Sequence, residues 1–376
     1  MFFDRWKQGR KLFPINMERV KWVSGNFTRG IILEQRKEPA LRRKLRTFLN
    51  ANYAGMLFES DLPYDGAALS GKQIIEIARL ARIVDERDGL FLHEKLEKAR
   101  RMNVKVVVGD AIDDEPYVSS QLNPLLFLKK EAGGGLRLAA KAVGNPKIYF
   151  AIYKNLSDLD LKTKLPKDID GVEIRRIHGR YPAEFRTMDD FDTHGPAVLI
   201  GVCSLIHLYR AVYEHRIQST CFVTVAGICV ANPTNLEVSI GMTPTQLFER
   251  CGLAEEPGYV VIGGSMTGAI CEDPDSYLVG TMSRAVLALR DEEKKRRYQC
   301  IGCGRCAEVC PENLTPFYIN RYIELGKYET LSFYDIHRCI GCGTCSYICP
   351  SKIDIAENIK LAKIEMKRRR HEKEGD

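Results

Sequence analysis

The sequence predicts an α/β chain in three parts: a Rossmann-like parallel-sheet domain over 71–215, a β-grasp module over 216–290 and an α-helical ferredoxin-type domain over 291–362. Three observations predict it. Apolar strand runs alternate with amphipathic helices between residues 71 and 177, the pattern of a parallel sheet with crossover helices. Short strand runs and Gly turns fill 221–264. Eight of the thirteen cysteines then fall between residues 300 and 350, as one pattern written twice.

In chain order, residues 1–70 carry the weakest pattern, with a short strand at Ile31-Ile32-Leu33 and a helix, basic on one face, over 41–58. Apolar residues at helical spacing predict helices over 72–84 and 93–101. A buried strand over 104–108 ends at Gly109-Asp110, a helix covers 135–143, and strands cover 147–153 and 172–177. Residues 196–214 read as one apolar helix. Strands follow at 221–225, 228–230 and 236–240, then a helix over 245–251 and a strand over 259–264 that runs into Gly263-Gly264. The charged stretch 291–298 links this module to the cysteine-rich domain, and 363–376 form a basic tail.

The chain has 376 residues, 45% hydrophobic and 28% charged, which excludes a disordered or collagen-like polymer. The net charge of +7 gathers partly at the ends, as in Lys367-Arg368-Arg369-Arg370, and reads as solvated helix face rather than a nucleic-acid site. No apolar run approaches the roughly 18–20 residues that span a bilayer. The expectation is a cytoplasmic chain with no secretory leader, no transmembrane segment and at most a peripheral membrane contact.

The cysteines carry the chemistry. Cys300, Cys303, Cys306, Cys310, Pro311 and then Cys339, Cys342, Cys345, Cys349, Pro350 each spell C-x2-C-x2-C-x3-C-P. That is the spacing of bacterial-type [4Fe–4S] ferredoxins, in which the fourth cysteine of each run ligates the other cube. The expected ligand sets are Cys300, Cys303, Cys306 and Cys349 for one cluster, and Cys339, Cys342, Cys345 and Cys310 for the second, the fourth cysteine lying on a following helix. Gly302, Gly304, Gly341 and Gly343 let the backbone come close to sulfide. Zinc favours four ligands in separated pairs, and disulfides fit neither spacing nor compartment. The insert over 312–338 reads as a helix, a Gly cap and a second short helix, longer than a free carrier needs. Cys203, Cys221, Cys229, Cys251 and Cys271 sit among apolar residues and read as buried small hydrophobes. His93, His178, His194, His207 and His215 share no metal-ligand spacing and read as surface or capping residues; Gly133-Gly134-Gly135 is a triple glycine before a helix, a loop that can hold phosphate, but a lone glycine cluster reads as structural.

Over about 195–365 the order of short motifs resembles the C subunit of the Rnf electron-transport complex (RnfC), itself related to the flavin subunit of respiratory complex I. The motifs are Val223-Thr224-Val225-Ala226-Gly227, Asn232-Pro233, Ile240-Gly241, Gly263-Gly264-Ser265-Met266-Thr267-Gly268 and both cysteine runs. The resemblance makes the β-grasp module a soluble-ligand-binding (SLBB) module, and extends upstream through Asp113-Asp114-Glu115-Pro116-Tyr117. It implies an FMN and NADH site, from which this chain departs. Where the family has Gly-Gly-Ala-Gly-Phe-Pro-Thr, residues 86–94 keep one glycine and add carboxylates; the family's Asn-Gly after the first strand is Asp110-Ala111, and its acidic residue after the second is replaced at Tyr153-Lys154. Asp110, Asp113 and Glu115 are then remnants of a flavin site. The expectation is a relay of single electrons through two [4Fe–4S] clusters without FMN, between redox partners in a hetero-oligomeric complex. An FMN-dependent NADH-oxidising reductase with a modified pocket is the alternative.

Overall fold

The computed structural model describes residues 57, 58, 60, 62, 63, 65–153, 166–177, 181–183, 196–291 and 297–374. The strand at 31–33 and most of the helix at 41–58 lie outside them; within that span Leu57 makes an isolated β-bridge with Arg216. The chain divides into two compact units, one made of residues up to 179, 183–264 and 269–290, the second of 180–182, 265–268 and 291–376.

Among the described residues, the first unit's first helices are α1 (Gly71–Leu80) and α2 (Leu92–Arg101). Ser70 and Gln73 cap α1 reciprocally: the Gln73 amide donates to Ser70 Oγ at 3.4 Å and the Ser70 amide to Gln73 Oε1 at 2.8 Å. The helix is shorter than its periodicity predicts, because Arg82 takes a left-handed φ of 52° and Val84 pairs with Phe91 across a turn at Gly89.

Strands β1 (Val106–Asp110), β2 (Lys147–Tyr153), β3 (Asp168–Ile169), β4 (Val172–Ile177) and β5 (Ala197–Gly201) form one sheet in the order β3-β4-β2-β1-β5. All neighbours are parallel except β3 with β4. Alternate residues feed opposite faces: Val107, Phe150, Ile152 and Ile200 join the helical core, while Val106, Val108, Ala151, Tyr153 and Leu199 form a second cluster. Three further helices belong here, α3 (Leu122–Phe127), α4 (Lys129–Val143) and α5 (Val202–Glu214).

Two expectations need correction. Residues 197–201 are strand, not the first turn of an apolar helix. An apolar run fits either element, and here the open edge of β1 supplies hydrogen-bond partners. The triple glycine lies inside α4 rather than before it, where Gly135 meets the backbone of α5: a Cβ there would stand 1.9 Å from the Leu205 carbonyl oxygen.

The second sheet has the order β7-β6-β10-β8-β9, from β6 (Thr220–Ala226), β7 (Thr234–Ser239), β8 (Tyr259–Ile262), β9 (Ala269–Cys271) and β10 (Ala285–Leu289), with α6 (Pro244–Cys251) packed on it. Only β6 and β10 pair in parallel. Residues 228–230 form no strand: Gly227 turns the chain at φ 117°, and Val230 makes only a bridge to Leu253. Cys203, Cys221, Cys229, Cys251 and Cys271 are buried as expected.

Among the histidines, His207 and His215 are buried rather than on the surface. Burial and Arg210 hold His207 neutral, its pKa pushed down to about 3. His215 does cap α5, in a left-handed conformation with its ring stacked 4.9 Å from Phe58. His178 and His194 lie outside the described residues.

The second unit is helical: α7 (Arg305–Glu308), α8 (Pro316–Glu324), 3-10 turns at Tyr328–Tyr334 and Ile336–Arg338, α9 (Thr344–Ile348) and α10 (Ile355–Glu374). Its core is Ile319, Leu331, Ile336, Ile355, Ile359 and Ala362. The insert follows the predicted plan, with Gly326 left-handed (φ 68°) after α8 and the second helix tightened into 3-10 turns. Basic residues 363–370 continue α10. Among the described residues, no helix is long and apolar enough to cross a membrane.

Candidate metal centres

The two cysteine runs adopt the same local backbone. Each begins as an extended loop with two left-handed glycines, Gly302 and Gly304 at φ 65° and 73°, Gly341 and Gly343 at 70° and 76°. A side chain is strained at such φ values, so the repeat needs glycine there. Gly304 then opens α7, which carries Cys306, and Gly343 opens α9, which carries Cys345. The fourth cysteine of each run lies just past its short helix, not on a following one. The Cys310 amide donates to the Ala307 carbonyl at 3.2 Å and the Cys349 amide to the Ser346 carbonyl at 3.2 Å.

This ending turns the fourth sulfur away from its own loop. One space is lined by Cys300, Cys303, Cys306 and Cys349, with Phe317, Ile353 and Ile355. The other is lined by Cys339, Cys342, Cys345 and Cys310, with Leu314, Ala356 and Ile359. Burial pushes the Cys345 thiol up to about 12, with Cys342 and Cys339 adding to it. Burial also raises Cys310; hydrogen bonds from Leu314 and Glu312 oppose that, and Cys342 and Cys339 of the second run raise it further. Among the described residues, no three His, Cys, Asp or Glu side chains converge tightly enough to hold one metal ion. Each space brings together four cysteine sulfurs, the donor type that [4Fe–4S] clusters use.

The surrounding bonds fix these loops. Tyr298 donates its amide to Ser351 O at 3.0 Å and Ser351 Oγ donates to Gln299 O at 2.9 Å, tying the start of the first run to the end of the second. Lys363 Nζ, on α10, donates to Cys339 O at 2.6 Å, and Ser346 Oγ accepts from the Ala356 amide at 2.8 Å.

The residues read as flavin-site remnants belong to the first unit, at the carboxyl ends of β1 and β5. The chain passes from β1 to β2 and β4 on one side and returns with β5 on the other, so the switch point lies between β1 and β5. Ligands of open α/β sheets bind outside such a point. Here the chain fills it. Arg87 Nε donates to Asp110 Oδ2 at 2.5 Å. Asp113 accepts from the Gln121 and Leu122 amides and pairs with Arg284 at 3.3 Å. Glu115 packs over Gly264, where a Cβ would lie 2.1 Å from its carboxyl carbon. Sequence reasoning missed Glu86 as an internal ligand. Its carboxylate accepts from the Cys203 amide at 2.9 Å, the Ser204 amide at 3.1 Å and Ser204 Oγ at 2.5 Å, at the start of α5. A helix start favours negative charge. Asp85 beside it accepts from the Gly201 amide and from Lys95.

Burial, then the Asp85 charge, raises Glu86 from its ordinary 4.5 to about 7. An acid raised on folding stabilises the fold fully below its unfolded pKa, and that contribution is lost as pH climbs through the folded value. Glu86→Gln, which cannot ionise, should therefore gain on the native protein between pH 5 and pH 8, by roughly 3 kcal/mol. Urea midpoints at the two pH values measure this, and a difference that does not change with pH would contradict the buried placement.

Residues 299–353 match the family profile "4Fe-4S dicluster domain". The chain is 27% identical over 257 residues to the C subunit of the ion-translocating oxidoreductase complex of Rhodobacter capsulatus, covering 62% of this chain and 48% of that one. It is 27% identical over 253 residues to the C subunit of the Na(+)-translocating ferredoxin:NAD(+) oxidoreductase complex of Acetobacterium woodii, covering 63% and 57%. It therefore spans about half the length of these relatives. A solved NAD+-reducing [NiFe]-hydrogenase in its H2-reduced state superposes with a TM-score of 0.54 at 14% identity, over 88% of this chain and 65% of that one, a likeness of fold. The resemblance to the C subunits of these complexes thus extends beyond the cysteine-rich domain.

Proposed function

We propose that this chain is an iron–sulfur electron-transfer subunit of a multi-protein oxidoreductase, acting as a one-electron relay between redox partners. In this reading Cys300, Cys303, Cys306 and Cys349 hold one [4Fe–4S] cluster, and Cys339, Cys342, Cys345 and Cys310 hold the other. The single observation that carries it is the pair of four-cysteine spaces, each lined by three sulfurs of one run and one of its neighbour. A bound cluster of this type stores or gives up one electron. The protein's part is to hold the thiolates, turn backbone N–H groups toward the sulfur and keep the two sites on one rigid helical framework.

The relatives are named as subunits of ion-translocating oxidoreductase complexes, which supports membership of a hetero-oligomeric redox complex. The second sheet is the SLBB-type β-grasp module of this reading, and the first a Rossmann-like scaffold without FMN. Support for the latter is the filled switch point, where Glu86 meets the start of α5 and Arg87 meets Asp110. A flavin phosphate would have to displace a carboxylate that already satisfies those donors.

Iron, sulfide and extractable flavin on anaerobically purified protein test the proposal. The expected result is about eight irons per chain with matching sulfide and no flavin. Stoichiometric FMN would overturn the flavin-free scaffold, and iron well below that figure after anaerobic reconstitution would overturn the relay.

A further inference from the structure

The two four-cysteine sites differ in how they meet solvent. Cys300 and Cys303 are exposed, whereas in the other set Cys342 and Cys345 are buried and Cys339 and Cys310 half-buried. Ile301, between the two exposed cysteines, is 70% exposed, and Tyr298, two residues before the run, is 60% exposed. Apolar side chains left in water around a chemically active group mark an interaction surface. Positive charge without an ion-pair partner also lies at the first site. Arg305 lines the first space, and exposed Lys352 stands between its lining residues Ser351 and Ile353. Neither makes an ion pair among the described residues, while Arg297 nearby engages Asp354. Around the second space the charges are engaged: Glu312 lies 3.6 Å from Arg338, and Lys363 donates to the Cys339 carbonyl. Even with Glu308 counted on α7, the face around the first run is net positive.

We infer that the Cys300/Cys303/Cys306/Cys349 site is where this subunit exchanges electrons with the outside, and that the Tyr298–Ile301 surface with Arg305 and Lys352 docks a protein one-electron carrier of acidic surface. This rests on the two-cluster reading above. An apolar centre with a charged rim is the anatomy of a protein interface, and small, charge-steered contacts suit transient redox encounters. When a reduced carrier docks, it is oxidised by one electron and this subunit is reduced by one; no covalent bond forms or breaks. The second site, which has no exposed cysteine, then exchanges electrons through the first rather than with the carrier.

Two measurements on the anaerobically purified full chain test this. In the first, the native protein is treated with an iron chelator and iodoacetamide together, and alkylated peptides are mapped as iron is lost. Cys300, Cys303, Cys306 and Cys349 should be modified with the first half of the iron; modification of Cys339, Cys342 and Cys345 first would overturn the outward-facing assignment. In the second, a reduced acidic [4Fe–4S] carrier protein is the electron donor in stopped flow. The Arg305→Glu/Lys352→Glu double variant should be reduced about tenfold more slowly than the native chain at low salt, with the gap closing as salt rises. Its reduction by photoreduced deazaflavin, which needs no docking, serves as the reference. Equal carrier rates for variant and native protein would overturn the docking face. If Arg305→Glu costs iron, Lys352→Glu alone, which lies off the cysteine-lined space, carries the same test with a smaller slowing. A native chain that binds little iron, or that deazaflavin cannot reduce, would overturn the relay reading instead.

Discussion

Cys349→Ala should remove about four irons and open Cys300, Cys303 and Cys306 to alkylation, although it lies some forty residues beyond them in the other run. The reason is the way each run ends. Cys349 follows α9 with its amide bonded to Ser346 O, and its side chain lines the space of the first run rather than that of Cys339, Cys342 and Cys345. A cube with three protein ligands and one open iron is labile, so removal of the fourth thiolate should cost the whole cluster. Cys310→Ala should act as the mirror image, exposing Cys339, Cys342 and Cys345 while the first site keeps its iron. Iron per chain, the EPR signal of the surviving cluster and the alkylation map read out both variants. If each substitution empties only the site of its own run, the exchange of fourth ligands is wrong. Because Cys349 is only 8% exposed, Cys349→Ser, which keeps the volume, separates loss of a ligand from loss of packing.

The cysteine-rich dicluster segment was legible because iron–sulfur chemistry fixes both residue type and spacing. Four cysteines within eleven positions, twice, admit few uses, and the left-handed glycines between them are forced by the same loop. The parallel sheet was legible for a different reason: β2 is an almost continuous apolar run, β4 keeps apolar residues at Val172, Ile174 and Ile177, and the predicted limits of both match the structure residue for residue. Periodicity failed where one apolar run serves two elements. Residues 197–214 hold a strand and a helix with no polar break, and only the pairing of β5 with β1 divides them. It failed again at β10, a five-residue apolar run that becomes strand through partners more than twenty residues away in sequence. At the switch point, the change of sequence over 86–94 was visible but its consequence was not. Whether Glu86 repels a ligand or becomes one depends on the position of α5, which is set by packing between distant segments.

Gly135→Ala is expected to destabilise the first unit by about 3 kcal/mol, a large effect for one added methyl group. Alanine improves intrinsic helix propensity over glycine by about 1 kcal/mol in a helix interior, so propensity alone predicts the opposite sign. The obstacle is the neighbouring backbone. A Cβ at 135 would stand 1.9 Å from Leu205 O, 2.6 Å from Leu205 C and 3.1 Å from its Cα. No rotamer relieves such a clash, and α5 itself must move away. That helix also carries Arg210, which holds buried Glu131 of α4 at 2.8 Å and buried Glu237 of β7 at 2.6 Å. Separating such groups leaves charge without a partner in the interior. Gly134→Ala provides the contrast, because there the nearest atoms belong to the half-buried Tyr209 ring, which can turn aside; it should lie within about 1 kcal/mol of the native protein. Urea unfolding of both variants gives the comparison. A Gly135→Ala protein as stable as the native chain would mean that α4 and α5 do not cross this closely. If both variants instead kept full stability but lost affinity for inorganic phosphate, the triple glycine would be a ligand loop rather than a packing device.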